Sequence, residues 1–112
     1  MTTKTQQQAE ARIGEMVRLI VQNFDPDRII LFGSFANGTA DADSDVDLLV
    51  VMPATTSKRK QGAQIDMALA DVGLPKDVIV VTPEEVQKYR DVVGSIVYPA
   101  LRKGKILYDR AA

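Results

Sequence analysis

Three short apolar runs constrain the chain most: Arg28 to Phe32 (RIILF), Asp45 to Met52 (DVDLLVVM) and Asp77 to Val81 (DVIVV). Each is short, rich in Val, Ile or Leu, and bounded by Gly or Pro, which is the pattern of a buried strand. Between them the period changes. Ala9, Ile13, Met16, Val17, Ile20 and Phe24 recur at spacings of three and four, so a helix is predicted over about 6–24, stopped by Asp25-Pro26-Asp27. Ser57 to Val72 places Ile65, Ala68, Leu69 and Val72 on one helical face, with Ser57 as N-cap and Gly73 and Pro75 as stop. Gly62 weakens its early turns by about 1 kcal/mol relative to Ala.

Thr82-Pro83-Glu84-Glu85 spells a capping box with Pro at the first helical position, so a helix opens there. After Gly94 a further short helix is expected, ended by Gly104, and Lys105 to Asp109 suits an edge strand. Gly33 to Gly38 has room for a turn or one helical turn. Strands interleaved with helices predict an α/β (α+β) fold: a small mixed sheet of three to four strands flanked by helices.

Composition narrows the chemistry. At 112 residues, with 46% hydrophobic and 26% charged, the chain fits one compact domain over 1–112, its core at about 28–108. Fourteen Lys and Arg against fifteen Asp and Glu argue against broad nucleic-acid binding. There is no Cys and no His, which removes disulfides, thiolate and imidazole metal ligands, and histidine bases. Catalysis must then run on carboxylates, hydroxyls and backbone. Met1 to Glu10 has no apolar signal-like core and no run reaches membrane-spanning length, so a cytoplasmic location is expected.

Asp45 and Asp47 flank Val46 in a strand, where alternation puts both carboxylates on one face. Two ionised carboxylates so close need a cation or a raised pKa. Hard oxygen ligands favour Mg²⁺ or Mn²⁺ over Zn²⁺. Should the third strand pair beside the second, Asp77 joins them, and three carboxylates can hold two metals for in-line phosphoryl displacement. Gly33 and Ser34 end the first strand, where backbone N–H groups and a hydroxyl can hold phosphate oxygens. Asp41, Asp43 and Asp45 superficially suggest a calcium loop, but Val46 stands where that loop needs Gly and Met52 where it needs Glu.

LFGSFANGTADADSDVDLLVV resembles the signature of the polymerase beta nucleotidyltransferase superfamily. With the ending GSIVYPALRKGKILYD, the chain is similar to the minimal nucleotidyltransferases (MNT) that accompany HEPN-domain proteins. The resemblance implies a polymerase-beta-like fold in which Asp45 and Asp47 bind two Mg²⁺ ions. It makes Asp77 the third ligand and the base, and Gly33 and Ser34 the holders of the phosphates of ATP. It also implies a HEPN-domain partner in a hetero-oligomer, with AMP transferred to a partner hydroxyl so that the chain acts as the antitoxin of a toxin-antitoxin pair.

Asn37 stands where many members of that superfamily carry Arg, which leaves a rival: a binding module that neutralises its partner sterically. Transfer to a small molecule such as an antibiotic is a third reading. Lys58-Arg59-Lys60 reads either as a solvated helix start or as a contact for phosphates or an acidic partner. Tyr98, Leu101, Ile106 and Leu107 read either as core or as a partner surface.

Overall fold

A computed structural model describes residues 4–41 and 43–112. Its elements alternate much as the periodicity predicts: α1 (Lys4–Phe24), β1 (Arg28–Phe32), α2 (Ser34–Asn37), β2 (Val46–Val51), α3 (Lys58–Ala68), β3 (Lys76–Val81), α4 (Pro83–Tyr89), α5 (Val97–Lys103) and β4 (Lys105–Asp109). The strands form one mixed sheet in the order β3-β2-β1-β4. β1 runs antiparallel to both β2 and β4, whereas β3 runs parallel to β2. The fold is therefore mixed α/β, a four-stranded sheet flanked by helices.

Both faces of the sheet are covered, which explains why the strands are apolar throughout rather than alternating. Ile29, Leu31, Leu48, Val50 and Val80 meet Ile13, Met16 and Ile20 of α1 and Ile65 of α3. Ile30, Leu49, Val51 and Val81 meet Val86 of α4 and Val97 and Ala100 of α5. The residues of β1, β2 and β3 alternate between the two groups, so each of these strands feeds two cores, whereas β4 adds Leu107 and Tyr108 to the first alone.

Boundaries move for identifiable reasons. β2 begins at Val46, one residue after the expected start, because the Val46 N–H makes the first bond, 2.8 Å to the Pro75 carbonyl, and Asp45 stands outside the ladder. β3 begins at Lys76, one residue early. The helix expected over Ser57 to Val72 ends at Ala68 and is followed by a 3-10 turn, Ala70–Val72, closed by left-handed Gly73. Its N-cap is Ser57, whose hydroxyl accepts from the Lys60 N–H. At α4 both halves of the capping box form: Thr82 Oγ1 accepts from the Glu85 N–H, and Glu85 Oε1 accepts from the Thr82 N–H. α1 ends at Phe24, Asp25 follows at φ 48°, and Arg110 ties that turn down through ion pairs to Asp25 and Asp27 at 3.1 and 3.0 Å. No helix among the described residues is long and apolar enough to cross a membrane.

Candidate active site

The strand register assembles the acidic residues. Asp47 lies directly beside Asp77 in the parallel β2–β3 pair, and beside Phe32 in the antiparallel β1–β2 pair. Asp47 shares its face with Leu49 and Val51, and Asp77 shares its face with Ile79 and Val81. Both carboxylates thus stand on the α4/α5 side of the sheet, at the end where β2 and β3 begin and β1 ends. Asp45 is exposed and one step outside the ladder.

Gly33 closes the site from the β1 side. Its backbone sits at φ 73°, ψ −154°, a region that is in effect open only to glycine. A Cβ there would overlap the Asp47 carboxylate and lie 3.2 Å from its Cγ. The missing side chain is thus what lets the β1–α2 turn fold against a carboxylate. α2 is a single turn that Gly33 starts and Gly38 ends, with the Gly33 carbonyl accepting from the Ala36 and Asn37 N–H groups at 3.1 Å. Ser34 opens this turn. Asn37 ends it and is exposed.

The electrostatics agree with the geometry. Asp47 holds its proton above the ordinary carboxylate value, first because it is partly withdrawn from water, then because of Asp77, then Asp45. None of the three carboxylates forms an ion pair with a described residue. Nor, among the described residues, do three acidic side chains converge tightly enough to form a finished cation cage. The donor set nevertheless suits a hard divalent cation: oxygen only, acidic, unpaired, and mutually repelling at Asp47. Asp45, Asp47 and Asp77 are the side chains that would hold it.

Two features beside the site were not legible in the sequence. One is the contact between Gly33 and Asp47, for which a glycine ending a strand is the only signal. The other is a cavity of about 540 Å³ that runs from Asp77 along β3 and is walled by α3, with Lys58, Arg59 and Lys76 on it. Lys58 is not simply solvated: it bonds Glu85 at 2.5 Å. Of the C-terminal residues read as core or surface, Leu101 and Leu107 pack against the cores, Tyr98 is half-buried under the Arg102 guanidinium, and Ile106 is 58% exposed.

Comparison with known proteins gives the class. Residues 13–103 match the family model described as the nucleotidyltransferase domain, and the chain belongs to that family. A candidate nucleotidyltransferase from Sulfolobus solfataricus superposes with a TM-score of 0.63 at 17% identity, over 98% of this chain and 92% of that one. A toxin-antitoxin structure with AMP-PNP gives a TM-score of 0.53 at 24% identity, over 89% and 73% of the two chains. The tri-AMPylated Shewanella oneidensis HEPN toxin in complex with MNT antitoxin gives 0.51 at 18% identity, over 91% and 73%. At these identities the likeness is one of fold. No curated protein matches the sequence.

Proposed function

We propose that this nucleotidyltransferase transfers AMP from ATP to a hydroxyl of a HEPN-type partner protein and serves as the antitoxin of that pair in the cytoplasm. The observation that carries the reading is the side-by-side register of Asp47 and Asp77 against Gly33. Two of its structural neighbours are toxin-antitoxin complexes, one with AMP-PNP and one with an AMPylated HEPN toxin, which supports the choice of nucleotide and of partner.

In the reaction the acceptor oxygen bonds to the α-phosphorus of ATP, the bond from that phosphorus to the bridging oxygen breaks, and pyrophosphate leaves with the electron pair. Asp77, exposed at the rim, takes the acceptor proton. Asp45, Asp47 and Asp77 would hold Mg²⁺, two ions in the full site. Bound there, the metal would neutralise charge gathering on the triphosphate. Gly33 and Ser34 present backbone and hydroxyl to the phosphates, close against the metal-holding carboxylates.

A steric antitoxin with the same fold would need no carboxylates, and mutation separates the two. Asp45→Asn with Asp47→Asn should leave the complex with the HEPN partner intact on size exclusion while abolishing neutralisation of its activity. Undiminished neutralisation by the double variant would favour the binding module.

A further inference from the structure

β3 is an edge strand. It pairs with β2 over all six residues without a break, and no described strand pairs with its other side. The Pro75 and Val81 carbonyls accept from the Val46 and Met52 N–H groups at 2.8 and 3.0 Å. Backbone groups alternate between the two sides of a strand, so Asp77 and Ile79 also turn toward β2. The N–H and C=O groups of Lys76, Val78 and Val80 turn outward. The 540 Å³ cavity touches Lys76, Asp77, Val78, Ile79 and Val80 in unbroken succession, so it follows this open edge.

Gly62 of α3 lies on the wall of the cavity. A Cβ built there would meet the Val78 carbonyl oxygen at 3.4 Å and Val80 Cγ2 at 3.9 Å. That is ordinary contact, so packing does not demand glycine. Its presence leaves the outward Val78 carbonyl uncovered by any side chain of residue 62. The opposite edge of the sheet is blunted: β4 meets β1 with a register shift between Ile29 and Ile30 and carries exposed Lys105. Of the two edges among the described residues, β3 is the one that pairs inward without a register shift.

We infer that the outer edge of β3 docks the acceptor. An extended polypeptide segment of the partner adds as a fifth strand, pairs with Lys76, Val78 and Val80, and so brings its hydroxyl to Asp77. The inference rests on the transferase reading above. An unpaired amide ladder selects a polypeptide backbone over a nucleic acid. Arg59 forms no ion pair with a described residue, whereas Lys58 is held by Glu85 and Lys76 by Asp66 at 3.3 Å. The unmatched cation on the wall fits a carboxylate on the entering segment. Bond making and breaking are those already given, with the acceptor proton passing to Asp77.

The test uses the full chain with ATP, Mg²⁺ and a HEPN-domain protein, read by intact mass and by amide hydrogen exchange. On complex formation, exchange at Lys76, Val78 and Val80 should slow at least tenfold, while Asp77 and Ile79, already paired with β2, change little. Gly62→Leu should cut the rate of AMP transfer at least tenfold with ATP affinity within twofold of the parent. Gly62→Ala, which no contact opposes, should melt no lower than the parent and transfer at an intermediate rate. Transfer by the parent with equal rates in both variants and no new protection overturns the docking edge alone. No transfer by the parent overturns the transferase reading and the edge with it. AMP found on RNA added to the mixture, in place of protein, assigns the groove to nucleic acid and likewise overturns it.

Discussion

Gly33 and Asp47 are the residues on which the site turns. Gly33 is held at a positive φ and its Cα faces the Asp47 carboxylate. Gly33→Ala should therefore cost about 1–3 kcal/mol from backbone strain alone, visible as a lower urea midpoint, and should weaken ATP binding as the turn is pushed off the carboxylate. Asp47 presents the opposite trade. Its proton is held above the ordinary value of 3.8 by burial and by Asp77 and Asp45, so the folded chain binds that proton more tightly than the unfolded one. The contribution of this group to stability falls as pH rises past 3.8 toward the raised value. Asp47→Asn should stabilise the metal-free chain at neutral pH by about 0.5–2 kcal/mol, with little gain in acid, and should abolish transfer. A melting curve at pH 7 and at pH 4 checks the sign.

At the scale of elements, the caps are where sequence and structure agree best, because a cap is a local device. The Thr82 to Glu85 box forms as its residue types require, and Thr82→Ala should cost about 1 kcal/mol. Glu85 is held below its ordinary value of 4.5 chiefly by the Lys58 bond, then by the Thr82 N–H. Its contribution is complete above 4.5 and fades as pH falls through the lowered value, so the wild-type advantage over Glu85→Gln should shrink in acid. Denaturant melts of both chains across that range would show it.

The strands were equally legible from their apolar runs, and so was the fact that Asp45, Asp47 and Asp77 stand at strand starts. Their meeting was not. Whether Asp77 lies beside Asp47 depends on β3 pairing in parallel with β2, which is a long-range choice made by α3 and the cores. Asp45 shows the limit on the other side: alternation alone puts it level with Asp47, but the first ladder bond falls at Val46 and leaves it outside. The open edge of β3 has no sequence signal at all, since an edge strand and a central one read alike when both faces are covered.

At the scale of the molecule, the described residues form a sheet with two cores and an acidic rim. α1 and α3 cover one face, α4 and α5 the other, and the carboxylates sit where the second cover begins. Such a rim is costly without a cation, so ligand and fold should be linked. Mg²⁺ with ATP at one hundred times its Kd should stabilise the chain by about 2.7 kcal/mol, and Asp45→Asn with Asp47→Asn should erase that shift. Thermal melts with and without ligand test it in a single experiment.

The most direct measurement is the intact mass of a HEPN-domain partner after incubation with this chain, ATP and Mg²⁺. The account predicts a gain of one or more adenylyl groups on the partner, lost with Asp47→Asn. A tight complex that silences the partner with no added mass would contradict it.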